Sequence, residues 1–128
     1  MVSSVPSKPA IEFPNGPAPA QLAIEDLVVG NGPEAVPGGV VEVHYVGVDY
    51  ETGEEFDSSW GPAEGLGQPI EFPLRGLIQG WQDGIPGMRV GGRRQLVIPP
   101  AQAYGPAGSG HQLAGKTLIF VIDLLNTR

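Results

Sequence analysis

Leu77-Ile78-Gln79-Gly80-Trp81 brings two aliphatic side chains and an indole into one short segment with turn chemistry on both sides. Arg75-Gly76 precedes it and Asp83-Gly84-Ile85-Pro86-Gly87 closes it, so little more than two helical turns fit between the breakers. This spacing predicts a single helix of about eight residues. So much apolar surface on so short a helix has two readings. The residues cap a core, or they floor a small apolar pocket in which the flat indole is a platform for a flat or ring-shaped ligand.

What lies on either side of that segment reads as strand. Val40 to Tyr50 is rich in β-branched and aromatic residues and is bounded by Pro37-Gly38-Gly39 and Glu51-Thr52-Gly53. Val41, Val43 and Tyr45 fall on one face and Val40, Glu42, His44 and Val46 on the other, so the first face should meet the core. Glu54 to Ser58 should pair back across the turn. Leu22 to Val29, ended by Gly30-Asn31-Gly32-Pro33, is a further strand. Ile70 to Leu74 is a short one in which Pro73 indicates an edge or a bulge. Arg93 to Ile98 follows a Gly91-Gly92 turn, and Thr117 to Leu125 closes the chain as a nearly continuous apolar strand. The expected architecture is α+β, a curved antiparallel sheet of five or six strands wrapped around one short helix.

Composition narrows the function classes. The chain has 128 residues, the size of one ordinary domain. It has no cysteine, which removes a disulfide framework, a thiolate nucleophile and a cysteine zinc site. His44 and His111 are far apart and belong to no ligand motif, so neither a metal nor a cofactor is expected. A net charge of -7 argues against a phosphate backbone as partner. No run is long enough to span a membrane, and Met1 to Ala20 lacks the pattern of a secretory signal, so a soluble cytoplasmic protein is expected. Absence of heptads favours a monomer. The 20 glycines and 14 prolines would suit a disordered chain, but five of the prolines lie within residues 1–20. That stretch reads as an extended arm, with residues 21–128 as the folded domain.

The space between sheet and helix is either solid core or a pocket. Tyr45, Phe56, Trp81, Tyr104 and Phe120 come from five different segments, and the tyrosine hydroxyls suit a cleft with one wet end. Glu51, Glu54 and Glu55 read as decoration of an exposed hairpin, with Asp57 alone directed inward. One of Arg93 and Arg94 is expected on a solvated sheet face, and Ser58-Ser59 reads as a plain turn.

In this setting an ordered set of strings resembles the FKBP-type peptidyl-prolyl cis-trans isomerases. The strings are Val43-His44-Tyr45-Val46-Gly47, Gly53-Glu54-Glu55-Phe56-Asp57-Ser58-Ser59, Leu77-Ile78-Gln79-Gly80-Trp81 and Gly87-Met88-Arg89-Val90-Gly91-Gly92-Arg93-Arg94. They continue with Ile98-Pro99-Pro100, Ala103-Tyr104-Gly105 and Thr117-Leu118-Ile119-Phe120. The resemblance spans roughly residues 21–126 and implies a minimal single-domain form, a half-barrel of strands with the Trp at the pocket base. It implies Asp57, Tyr104, Trp81, Phe56, Tyr45 and Phe120 as catalytic residues. Leu77, Ile78, Ile70, Phe72 and Leu113 would bind substrate. Implied too are Pro-containing polypeptide substrates, a role in protein folding, and macrolides of the rapamycin type, whose pipecolyl ring mimics proline.

Four departures from the family pattern bear on the pocket. Ile70 stands where an aromatic is common. The chain is about two residues shorter between Phe72 and Ile78. Pro106 to Lys116 lacks the usual Ile-Pro-Pro, leaving Gln112 or Leu113 as the cover. Gly61-Pro62-Ala63 replaces an arginine that usually pairs with the aspartate, so Asp57 must rely on Tyr45, backbone donors or Arg75. Two alternatives to an isomerase stay open, a non-catalytic module that holds Pro-containing segments and a holdase chaperone. Phe13-Pro14 in the arm raises the further idea of a weak internal competitor for the pocket, against the simpler reading of an inert tail.

Overall fold

The computed structural model describes residues 8–11, 16–60 and 68–128. Six strands form one antiparallel sheet: β1 (Ala23–Val28), β2 (Val40–Asp49), β3 (Glu55–Ser58), β4 (Ile70–Pro73), β5 (Arg93–Ile98) and β6 (Leu118–Thr127). A single α-helix, α1 (Gln79–Gly84), and two short 3₁₀ turns, Leu74–Gly76 and Pro100–Gln102, complete the described elements. The order across the sheet is β1-β5-β6-β2-β3, and β4 pairs with β2 beside β3. Pro73 ends β4, which pairs with β2 alone and so spares its missing N–H a ladder bond.

The long strands β2 and β6 form the spine. Their register sets Val43 opposite Leu124, Tyr45 opposite Ile122 and Gly47 opposite Phe120. The Val41, Val43 and Tyr45 face meets the main core as expected, packing with Leu96, Ile98, Ile122 and Leu124 against Trp81 and Ile85. The opposite face is covered as well. Val46, Val48, Val97, Ile119 and Val121 form a second cluster under Trp60, with Ile11 of the arm and Tyr50 packed against it. With both faces covered, β6 has no polar alternation until Asp123, which explains its continuous apolar run.

α1 has six residues rather than about eight. Glycine at both 80 and 84 lets it lie almost on the sheet. A Cβ on Gly80 would stand 2.5 Å from Ile98 Cγ2, and one on Gly84 2.8 Å from Leu96 Cδ1. The helix therefore carries Trp81 into the concave side of the sheet with no spacer between them.

The reading of Arg93 and Arg94 needs correction, since neither is left to solvent. Arg93 forms a two-pronged pair with Asp123 (2.7 and 3.1 Å), and Arg94 one with Asp26 (2.6 and 3.2 Å) while also donating to the Gly84 carbonyl (2.8 Å). β5 lies between β6 and β1, and each neighbour supplies a carboxylate in register with one arginine.

Candidate active site

On the concave side, a cleft of about 480 Å³ including its mouth is lined by Tyr45, Phe56, Asp57, Phe72, Leu77, Ile78, Trp81, Tyr104 and Phe120. Trp81 is its floor, only 4 % exposed. Three rings stand edge-on around the indole: Tyr45 at 5.3 Å and 80°, Phe72 at 5.8 Å and 86°, Phe120 at 5.3 Å and 87°. Phe56 meets Phe120 at 5.5 Å and 90°. Edge-to-face contacts are the favoured aromatic geometry and make the walls rigid.

Phe56 and Asp57 are neighbours in one strand yet both line the cleft, and a bulge explains this. Gly47 pairs with Asp57 and Val48 with Glu55, so Phe56 is an extra residue in the β2–β3 register. A bulge of this kind re-aims side chains that simple alternation would send to opposite faces. Glu51, Glu54 and Glu55 are exposed around the hairpin.

At the mouth, the Tyr45 hydroxyl donates to Asp57 Oδ2 at 2.8 Å, and the Ser58 N–H donates to Oδ1 at 2.9 Å. Of the three candidate supports for Asp57, Tyr45 and a backbone donor are present. Arg75 is elsewhere, its guanidinium lying where a Cβ on Gly38 would come within 3.1 Å of Nε. Gly61-Pro62-Ala63 lies outside the described residues. Burial, and then the hydrogen bond to Asp57, push the Tyr45 phenol far above its ordinary range. Burial and the charge of Asp57 raise Tyr104 as well. Both hydroxyls therefore remain donors at neutral pH.

Tyr104 follows the Pro100–Gln102 turn, which Gln102 Nε2 ties to Asp83 of α1 at 3.0 Å. Its ring is stacked on His111 at 4.0 Å and 10°, and His111 Nδ1 accepts the Leu113 N–H at 2.9 Å. Neither Gln112 nor Leu113 lines the cleft; the side chain laid against the Tyr104 ring is His111. Ile70, on β4, also stays outside the lining and is 36 % exposed. Of the eleven expected site residues, the structure gathers all but Ile70 and Leu113 around one cleft.

Behind this cleft are residues to which the sequence alone gives no site role. Ser59 is buried, and its Oγ accepts the Tyr45 N–H at 2.7 Å and lies 2.8 Å from His44 Nδ1. The Ser59 N–H donates to the Tyr45 carbonyl at 2.9 Å. Ser59 is therefore an anchor and not a plain turn residue. Trp60 is stacked on His44 at 3.9 Å and 12°. Trp60 alone could have been flagged in advance, as a large aromatic beside a turn with no assigned place. Among the described residues no group of His, Asp or Glu side chains could hold a metal ion, and no helix is long and apolar enough to cross a membrane.

A family model described as FKBP-type peptidyl-prolyl cis-trans isomerase matches residues 32–125. The chain belongs to this family. It is 68 % identical over 119 residues to a probable FK506-binding protein of Corynebacterium glutamicum, covering 93 % of this chain and 98 % of that protein. To an FK506-binding protein of Streptomyces anulatus it is 52 % identical over 122 residues, covering 92 % and 95 %. Among solved structures, AtFKBP13 matches with a TM-score of 0.70 at 38 % identity, over 87 % of this chain and 96 % of that one. A peptidyl-prolyl cis-trans isomerase from Pseudomonas syringae matches with a TM-score of 0.71 at 36 % identity, over 83 % and 74 %. This FKBP-type chain thus has a six-stranded sheet and one short helix among its described residues, within the five or six strands that its sequence implied.

Proposed function

We propose that this isomerase turns X–Pro bonds in the Trp81 cleft by removing them from water while a few polar groups orient the carbonyl. The observation that carries this reading is the indole floor ringed by three aromatic edges, with the Tyr45–Asp57 pair at its mouth. Rotation about the amide C–N bond faces a barrier of about 18–20 kcal/mol, because conjugation is lost halfway round. The twisted amide is less dipolar than the planar one, so an apolar site favours it relative to water. No nucleophile or cofactor is required. In this account Trp81 lies under the pyrrolidine ring and Phe56, Ile78 and Phe120 form the walls. The Tyr104 hydroxyl donates to a substrate carbonyl. Asp57, held by Tyr45, orients the rotating carbonyl by repelling its oxygen and attracting its carbon.

The same pocket takes macrolides of the rapamycin type, a reading supported by the FK506-binding names of its relatives and by the apolar lining. The test is cis-to-trans interconversion of a Leu-Pro or Phe-Pro tetrapeptide, with and without rapamycin, beside Trp81→Ala. Acceleration abolished by both the drug and the substitution is the expected result. Drug binding without acceleration would make the chain a binding module for Pro-containing segments, and neither would mean that the cleft is closed to ligands.

A further inference from the structure

The face of the sheet opposite the cleft carries a buried assembly to which the proposed chemistry gives no task. Trp60 is 7 % exposed and lies flat on His44, itself buried. Its indole Nε1 is buried with no hydrogen-bond partner among the described residues. An orphaned N–H of this kind costs free energy, so the ring stays in place through stacking and packing. Arm residue Ile11 packs against the same cluster, and Lys8 reaches Glu55 at 2.9 Å.

Directly before Trp60 in the chain, Ser59 is bonded to both backbone groups of Tyr45. Its N–H donates to the Tyr45 carbonyl, and its Oγ accepts the Tyr45 N–H. Tyr45 then projects through the sheet to the concave side, where its hydroxyl holds Asp57. Asp57 is itself only two residues before Ser59. The bulge, the anchor and the carboxylate thus form one closed loop of covalent and hydrogen-bonded links, and Trp60 is the large apolar group that pins it to the sheet.

We infer that Trp60 is a positioning residue for the isomerase site: stacked on His44 beneath the arm, it fixes the Ser59 anchor and through it the Tyr45–Asp57 pair. This rests on the reading of Asp57 as a working part of the site, and the experiment below separates the two. A site group must be held to a fraction of an ångström to be effective, and the holding is done by neighbours with no contact to substrate. Asp57 is exposed on a short edge strand, and besides the Tyr45 hydroxyl it accepts the N–H of Ser58, its chain neighbour, which gives no tie to another strand.

A double-substitution cycle, read together with amide exchange, tests the inference. Trp60→Ala is expected to lower kcat/KM for the tetrapeptide about fivefold to tenfold and to speed amide exchange at Tyr45 and Ser59. Trp60→Phe, which keeps a flat ring over His44 and removes the orphaned N–H, is expected to restore both. In an Asp57→Ala background, Trp60→Ala is expected to cost less than about twofold, because the group it positions is gone. If Trp60→Ala does not fold, Trp60→Leu retains apolar cover without the flat ring and takes its place. Unchanged exchange at Tyr45 and Ser59, or turnover losses that multiply in the double variant, would overturn the inference. An Asp57→Ala variant with full turnover would sink the reading of Asp57, and the exchange measurement would still decide whether Trp60 holds the anchor.

Discussion

Gly47 faces Phe120 across β2 and β6, and a Cβ added there would stand 2.7 Å from both Phe120 Cε1 and Phe56 Cζ. The missing side chain is what allows the two phenylalanines to meet edge to face over the strand. Gly47→Ala should force them apart at a cost of about 1–3 kcal/mol, the usual penalty for overpacking. Because the displaced rings are cleft walls, turnover should fall further than the stability loss alone explains. Turnover per folded molecule equal to wild type would show that the Phe56–Phe120 contact is not a working wall.

Desolvation and hydrogen bonding make different demands on the cleft. If the apolar surroundings do most of the work, Trp81→Ala or Phe56→Ala should impair turnover far more than Tyr104→Phe, which removes one donor and keeps the ring on His111. One lost hydrogen bond is worth about 1 kcal/mol, less than the 1.36 kcal/mol that makes about a tenfold change in rate. Equal losses in all three variants, measured on the same tetrapeptide, would refute the desolvation account.

Legibility followed the range of the interactions. The run from Val40 to Tyr50 announced a strand because its β-branched and aromatic residues lie between two Gly-containing turns, and the cleft aromatics stood out because they are large and few. The helix is shorter than the roughly eight residues expected, and the close approach of Gly80 and Gly84 to Ile98 and Leu96, more than ten residues away in the chain, has no local mark. The bulge at Phe56 leaves no local mark either; it appears only when β2 and β3 are set in register. The anchoring role of Ser59, which reads as a plain turn, and the place of Trp60 are hidden for the same reason, since their partners Tyr45 and His44 lie on β2. In the loop after Tyr104 the missing Ile-Pro-Pro leaves Gln112 or Leu113 as the expected cover, whereas the ring against Tyr104 is His111.

His44 links stability to pH. Burial lowers its pKa from 6.5 against the opposing pull of Asp123 and Glu42, so the unfolded chain binds the proton more readily. The stability that follows is fully present above about pH 6.5 and is lost as pH falls through the lower, folded value. Asp123 has the opposite sign. Burial raises it above 3.8 despite Arg93, and folding is favoured when it is protonated. Urea midpoints should therefore drop between pH 7 and pH 5 in the wild type and drop less in His44→Gln. An identical slope in the two proteins would remove His44 as the cause.

The arm offers the last test, since its described contacts lead away from the cleft. Ile11 packs on the outer cluster, Lys8 pairs with Glu55, and the Tyr50 hydroxyl donates to the Gly16 carbonyl at 3.1 Å. Phe13-Pro14, the proposed internal competitor, lies outside the described residues. A partly buried isoleucine is worth about 1 kcal/mol, and a pair as open to water as Lys8–Glu55 adds little. Removing residues 1–17 should therefore lower stability by about 1–2 kcal/mol, with Ile11→Ala reproducing most of the loss. Because the described arm residues lie against the outer face, the truncation should bind peptide no more tightly. Tighter binding after truncation, with stability unchanged, would show instead that the arm competes for the cleft.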